Sequence, residues 1–284
     1  MSGEAKGIDT SPVDENTAAA IERAEMYAWE DCYAAAPADW AESVGLRTRT
    51  VAGALVIHWT ATGRRYFSRA IGLGVTAAAT GEAIDEVLSG WNEDGISMFL
   101  IASQPHCRPE GYEDLLRERG LEPFDAQDRV FRDGSPPSVA EPSERGLAVE
   151  RVSPETADEW AEFLQRVYRL DTGVWLQRLI GRPGWHEYVA REDGEIVAAR
   201  GMFIGSDGSA WLGMDAPVPG LMTDDYEPDA ALCGQMVADG LVNGARSFLA
   251  DIEAPSPGLD TPAYEYFARL GFRRPYVRLH WTRP

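Results

Sequence analysis

The stretch Thr261-Pro262-Ala263-Tyr264-Glu265-Tyr266-Phe267-Ala268-Arg269-Leu270-Gly271-Phe272, followed by Tyr276-Val277-Arg278-Leu279-His280-Trp281, decides how the rest of the chain is read. Pro262 suits a first helical position, where its missing N–H has no partner to lose. Tyr264, Phe267, Ala268 and Leu270 recur at helical spacing and predict one apolar face. Gly271 can take the left-handed conformation that ends a helix. Beyond it, Tyr276 to Trp281 alternates and is rich in strand formers. The chain therefore closes on a short capped helix, a Gly-Phe pair and a strand.

Working upstream, 247–252 reads as a strand, 228–243 as a helix stopped at Gly244, and 209–215 as another strand. A hairpin over 185–191 and 196–204 turns on Asp193-Gly194, a pair suited to a two-residue turn. Before it stand a strand at 147–152, a helix over 154–168 that Ser153 can cap, and a helical segment at 174–179. The run Asp133-Gly-Ser-Pro-Pro-Ser-Val-Ala-Glu-Pro-Ser-Glu-Arg-Gly146 has linker composition. The expected organisation is a flexible lead over 1–16, an N-terminal domain over 17–133, a linker over 134–146 and a C-terminal domain over 147–284. The N-terminal half repeats the order of elements: helices 17–33 and 38–43, strands 51–59 and 67–75, helix 80–91, strand 97–102, helix 112–119 and a strand around 129–132. Leu116-Arg-Glu-Arg-Gly-Leu121 parallels Phe267-Ala-Arg-Leu-Gly-Phe272. We read an internal duplication.

The 284 residues suffice for two domains, and 44% hydrophobic content supplies them with cores. Twenty-six basic against 46 acidic residues leave a net charge of −20, and Lys6 is the only lysine. Such a chain repels phosphate backbones and anionic lipid, so neither nucleic acid nor membrane is an expected partner. Cys32, Cys107 and Cys233 are far apart, and four scattered histidines offer no ligand spacing; no metal is expected. No apolar run reaches the roughly 20 residues of a membrane span, and the polar N-terminus lacks a secretory apolar segment. A cytoplasmic protein is expected.

The closing helix, Gly-Phe and strand resemble the C-terminal signature of the GNAT superfamily, which transfers acyl groups from pantetheine thioesters to amines. The resemblance covers about 147–284 well and 17–133 more loosely, and it is nearest to a subgroup with two such domains in tandem. It implies an α/β (α+β) fold of two GNAT-like domains, each a mixed, mostly antiparallel sheet flanked by helices. It also implies an active C-terminal domain beside a non-catalytic N-terminal one. In such a sheet the fourth and fifth strands, here 209–215 and 247–252, splay to admit the pantetheine arm. By that correspondence the arm lies along Gly213, Met214, Asp215, Ala216 and Pro217, and against Phe267.

One part departs from the family pattern. Where the family places a glycine-rich loop with Arg or Gln to hold the CoA pyrophosphate at a helix start, this chain has Leu221-Met222-Thr223-Asp224-Asp225-Tyr226-Glu227-Pro228-Asp229. Acidic residues and Pro228 suit a helix start, but they also fill an anion site with carboxylates. The co-substrate is therefore an acyl-pantetheine thioester, carried either on an acyl carrier protein or as acyl-CoA. Carrier proteins are acidic, so docking one requires an arginine patch, for which Arg246, Arg269, Arg273, Arg274 and Arg278 are candidates.

For chemistry, the resemblance calls for a base to remove the amine proton and an acid to protonate the thiolate. Phe267 stands at the position of the family's usual tyrosine, flanked by Tyr264 and Tyr266, which are the candidate acids. Asp215, Asp251 and Glu253 end the two splayed strands and are the candidate bases. Trp175, Trp185 and Trp211 are candidates to line an acceptor pocket or the core, and His186 is a lone histidine on a strand. The expected activity is transfer of an acyl group to a small-molecule amine. The alternative is a binding or regulatory protein without catalysis.

Overall fold

Asp14 starts the first helix: its carboxylate accepts the Thr17 N–H at 3.0 Å, a cap that contributes about 1 kcal/mol. The computed structural model describes residues 7–135, 146–217, 226–254 and 261–284. The middle of the expected linker (136–145), the start of the lead (1–6) and Leu221 to Asp225 of the acidic stretch lie outside the described residues. In chain order the first half runs α1 (Glu15–Ala34), α2 (Ala38–Ser43), β1 (Leu46–Val51), β2 (Ala54–Trp59), β3 (Arg69–Ile71), α3 (Gly81–Glu93), β4 (Leu100–Ser103), α4 (Tyr112–Arg117) and β5 (Glu122–Asp133). The second half runs β6 (Ala148–Arg151), α5 (Ala157–Tyr168), a 3-10 turn (Leu176–Leu179), β7 (Trp185–Glu192), β8 (Glu195–Ile204), β9 (Ser209–Pro217), α6 (Glu227–Val242), β10 (Ser247–Glu253), α7 (Pro262–Arg269) and β11 (Arg273–Thr282). From α1 to β5 and from α5 to β11 the order of helix and strand is the same, as the duplication predicts.

The chain forms two units. One holds residues 13–128 and 276–284, the other 1–12 and 129–275. Membership changes inside β5 and inside β11, so most of the last strand belongs to the N-terminal unit. The N-terminal unit's sheet has the order β1-β2-β3-β4-β11-β5, and the C-terminal unit's has β5-β10-β9-β8-β7-β6. In each, the third and fourth strands of the repeat pair in parallel, β3 with β4 and β9 with β10, within a sheet whose hairpins are antiparallel.

Local chemistry explains the elements. Thr261 Oγ1 accepts the Ala263 N–H at 3.3 Å, capping α7. Gly271 follows with φ +80°, so the Phe272 N–H reaches Phe267 O at 2.9 Å and the Gly271 N–H reaches Ala268 O at 2.9 Å. Those two bonds satisfy the last carbonyls of the helix in a Schellman arrangement. The Asp193-Gly194 turn joins β7 to β8 with both residues at positive φ, as its sequence predicts. Two expectations change. The strand expected at 51–59 starts only at Ala54, because Ala52 (φ +48°) and Gly53 (φ +77°) form a two-residue turn that joins it to β1, a strand not expected from the sequence. The strand expected at 67–75 shrinks to Arg69–Ile71, because Gly72 and Gly74 adopt φ of +86° and +80° and end it.

The N-terminal core gathers Trp91, Phe99, Ile101, Leu116 and Trp281. Trp91 stacks on Phe99 at 4.5 Å and donates its indole N–H to Ile57 O at 3.0 Å. Full burial of one such side chain stabilises by about 1.5–3 kcal/mol. This unit also buries an ionic cluster. Arg278, 1% exposed, donates to Glu25, to Glu22 at 3.5 Å and to Gln127 at 2.7 Å, while the Tyr276 hydroxyl donates to Glu22 at 2.8 Å. Arg278 is thus withdrawn from the expected surface patch. The C-terminal core centres on Tyr188, Met202, Leu212, Met236, Phe248 and Phe267. No helix among the described residues is long and apolar enough to cross a membrane.

Candidate active site

The site begins where two parallel strands part. β9 and β10 pair at Ser209–Ser247, Ala210–Phe248 and Trp211–Leu249, and at no residue beyond. β9 nevertheless continues to Pro217 and β10 to Glu253. On its other edge β9 stays paired with β8 as far as Pro217. Along Leu212 to Pro217 the opposite edge of β9 therefore has no pairing with β10.

A bulge sharpens that edge. Ala199 pairs with Ala216 and Gly201 with Gly213, so Arg200 alone stands opposite both Met214 and Asp215. Met214 takes the extra residue in the left-handed region, φ +52°. A non-glycine residue held there costs about 1–3 kcal/mol, and such strain collects at functional sites. The bulge brings Gly213, Met214, Asp215 and Ala216 together along one strand edge. Asp215 is exposed, and the Tyr168 hydroxyl fixes its main chain by donating to Asp215 O at 2.7 Å. Surrounding protein raises its carboxyl above the ordinary range, and Arg200 opposes that rise. Its exposed surface keeps water in contact, so the effect is modest.

Behind the bulge lies a buried polar cluster. The Arg200 guanidinium donates to both oxygens of Asp229, at 2.6 and 2.7 Å, and to Cys233 Sγ at 3.2 Å. Tyr266 donates its hydroxyl to the same Asp229 carboxylate. Burial works against the Arg200 charge, but Asp229 and its neighbours outweigh it and keep the guanidinium charged. Burial, with Asp229 second, pushes the Tyr266 hydroxyl well above its ordinary value. Burial likewise pushes the Cys233 thiol up. Asp229 lies in the first turn of α6, where N–H groups would otherwise face a bound anion. That turn carries an internally committed carboxylate instead.

The other candidates are placed as follows. Tyr266 is 5% exposed and committed to Asp229. Tyr264 is 8% exposed; its hydroxyl accepts from Arg274 at 3.0 Å, and that guanidinium lies 5.0 Å over its ring. Phe267 is buried between Tyr266 and Phe272, with ring centroids 4.6 and 5.0 Å away. Asp251 on β10 accepts from Arg129 at 2.7 Å. Glu253, at the end of β10, is exposed. Trp185 and Trp211 meet edge to face at 6.4 Å. Among the described residues no group of three or more His, Cys, Asp or Glu could hold a metal ion.

The equivalent place in the N-terminal unit is bridged by main chain. Past the β3–β4 pairs Arg69–Leu100 and Ala70–Ile101, the Arg108 N–H donates to Gly74 O at 2.9 Å, and the Ala79 N–H donates to Arg108 O at 2.8 Å. The segment after β4 is thereby stitched to the segment after β3. Sequence reasoning missed the roles of Arg200 and Cys233. Neither carries a motif: Cys233 stands four residues after Asp229 on α6, and the packing of α6 on β8 brings Arg200 to both.

The sequence matches no family model and no curated protein. Solved structures do match. A GCN5-related N-acetyltransferase from Kribbella flavida is similar at 16% identity and a TM-score of 0.64, over 94% of this chain and 95% of that one. Another, from Sphaerobacter thermophilus, is similar at 15% identity and a TM-score of 0.57, over 96% and 95%. A tandem GNAT protein from the clavulanic acid biosynthesis pathway is similar at 13% identity and a TM-score of 0.53, over 82% and 78%. Over nearly its whole length this chain has the fold of the GCN5-related N-acetyltransferases, the GNAT superfamily.

Proposed function

We propose that this protein is an N-acyltransferase that moves an acyl group from a pantetheine thioester to a small-molecule amine, and that its C-terminal unit is the active one. The observation that carries the reading is the parting of β9 from β10 after Trp211–Leu249. An extended pantetheine arm needs such an unpaired strand edge, whose N–H and C=O groups can meet its amides. Gly213 to Pro217 supply that edge. In the N-terminal unit the Arg108–Gly74 and Ala79–Arg108 bonds bridge the equivalent gap, which supports a non-catalytic role for it.

Asp215 is the base in this reading. It stands two residues before the end of β9, the strand that would carry the thioester, and a carboxylate raised above its ordinary value is a better proton acceptor. Tyr266 donates its proton to Asp229, whereas Tyr264 accepts from Arg274 in a bond that does not use its own O–H, so Tyr264 is the acid for the leaving thiolate in this reading. The donor class follows from the start of α6. Asp229 there is occupied by Arg200, and the sequence before it, Leu221 to Glu227, carries acidic residues in place of the glycines and arginine that would hold a pyrophosphate. A phosphopantetheine arm on a carrier protein carries no pyrophosphate; acyl-CoA is the second donor.

The commitment of Tyr266 to Asp229 favours one further reading, a GNAT-like binding or regulatory protein. A panel of amines incubated with acetyl-CoA and with acyl-loaded carrier protein separates the two. Amide product that falls about 100-fold or more in Asp215→Asn is expected. No product from any donor refutes transfer and leaves the binding reading.

A further inference from the structure

A second acid in the C-terminal unit has no place in the chemistry above. Glu187 on β7 is 2% exposed, and neither of its carboxyl oxygens has a hydrogen-bond partner. Strand alternation sets its direction. Its neighbour Tyr188 points to α6, donating to Asp239 at 2.9 Å, so Glu187 faces the opposite side of the sheet. A buried carboxyl without a partner costs several kcal/mol, and burial alone pushes this one well above the usual range.

What surrounds it is specific. Across the sheet Glu187 pairs with Gly201, and Gly201 with Gly213. A Cβ at 201 would stand 2.5 Å from Glu187 Oε2, and a Cβ at 213 would stand 1.9 Å from Trp211 Cζ2. The carboxyl group and the indole therefore lie over neighbouring glycines of one row. The adjacent row is aromatic: Trp185 pairs with Phe203 and Phe203 with Trp211, with Trp185 and Phe203 rings 5.1 Å apart. The glycine row ends at Gly213, where β9 has already left β10. Two more buried oxygens lack donors, Thr172 Oγ1 and Gln177 Oε1. They belong to the segment that leads into and forms the 3-10 turn, which packs on β7.

Oxygens wanting donors beside aromatic rings suit a cation with several N–H groups. A primary ammonium supplies three donors and a charge attracted to ring faces. We infer that Glu187 is the buried counter-ion that receives the acceptor as a primary ammonium ion, with the Trp185–Phe203–Trp211 row holding its apolar body. The inference rests on the acyl-transfer reading. It makes Glu187 a specificity-determining residue and excludes acceptors carrying a carboxylate next to the amine, which would meet the glutamate as a like charge.

The test is a tryptophan-fluorescence titration of the whole protein with ethyl-, butyl- and phenethylammonium and tryptamine, each against its matched alcohol. Wild type is expected to prefer ammonium by about tenfold or more, a difference of about 1.4 kcal/mol. In Glu187→Gln and Glu187→Met that ratio should fall to about one. Glu187→Met should melt no lower than wild type, since it removes an unpartnered carboxyl; this reports that the fold is intact. Saturation by no ammonium ion, or a preference that survives in Glu187→Gln, overturns the inference. Amide formation by a protein whose preference survives Glu187→Gln sinks the inference alone. Loss of preference in Glu187→Gln without amide formation from any donor sinks the acyl-transfer reading and leaves the ammonium site standing.

Discussion

Replacing Asp229 by alanine should destabilise the C-terminal unit far more than a change at a helix start ordinarily does. The Arg200 side chain is 3% exposed and holds both Asp229 oxygens, at 2.6 and 2.7 Å. Without the carboxylate the guanidinium is a buried charge, left only with the thiol of Cys233 at 3.2 Å as a hydrogen-bond partner among the described residues. Breaking a buried pair from one side costs about 3–5 kcal/mol. Tyr266 loses its acceptor at the same time, but that loss overlaps with the first and is not added. In a unit of this size each kcal/mol lowers the melting temperature by about 2–4 °C, so a drop between about 6 and 20 °C is expected. Calorimetry of wild type, Asp229→Ala and the double variant Asp229→Ala/Arg200→Met measures it. The double variant should recover most of the loss, because an apolar side chain replaces the stranded charge. A drop under about 2 °C in Asp229→Ala, or no recovery in the double variant, refutes the reasoning that this pair is tightly coupled.

Gly213→Ala should lower stability by about 1–3 kcal/mol through overpacking. Its Cβ would overlap the Trp211 ring at 1.9 Å, so a shifted tryptophan emission spectrum should accompany the loss. Glu187→Gln should gain on wild type as pH rises. Burial raises the folded pKa of Glu187 above its unfolded value. Its contribution is therefore intact below the unfolded value near 4.3 and lost as pH climbs toward the folded one, by up to about 1.4 kcal/mol per pH unit. Melting curves from pH 4 upward check the sign; a gap that narrows with pH contradicts it. Arg278→Met takes from the buried Glu22 and Glu25 the guanidinium that meets both, while Arg69 stays 3.8 Å from Glu25. It should cost about 3–5 kcal/mol, read as an early transition in the N-terminal unit.

What was legible in the sequence was short in range. The cap and stop of α7 and the Asp193-Gly194 turn rest on residues within a few positions of one another, whereas the parting of β9 from β10 is an implication of the family resemblance. Two kinds of feature escaped. Ala52 takes a left-handed turn position that a glycine or asparagine would advertise, and without that signal the strand expected at 51–59 runs through the turn and β1 goes unpredicted. The buried ionic groups escaped for a different reason. Arg278 meets Glu25 across 253 residues of chain and Arg129 meets Asp251 across 122, so no local pattern marks either pair. Glu187 did leave a trace: it shares strand parity with Trp185 and Val189, both buried. A charged residue on the inward parity of a strand is a signal that can be searched for.

The change of unit inside β11 has a consequence for biosynthesis. The N-terminal unit needs Tyr276, Arg278, His280 and Trp281, and β11 pairs with β4 through Leu279, His280 and Trp281. They follow Glu22 and Glu25, which Tyr276 and Arg278 meet, by more than 250 residues of chain. Until they arrive, Glu22 and Glu25 lack Arg278 and Ser103 lacks the Trp281 indole, which donates to it at 2.8 Å. Pairing over such a separation is slow. The N-terminal unit is thus begun long before β11 is made and is not complete without it, and a chain truncated after Pro275 leaves open the edges of β4 and β5 that β11 otherwise covers.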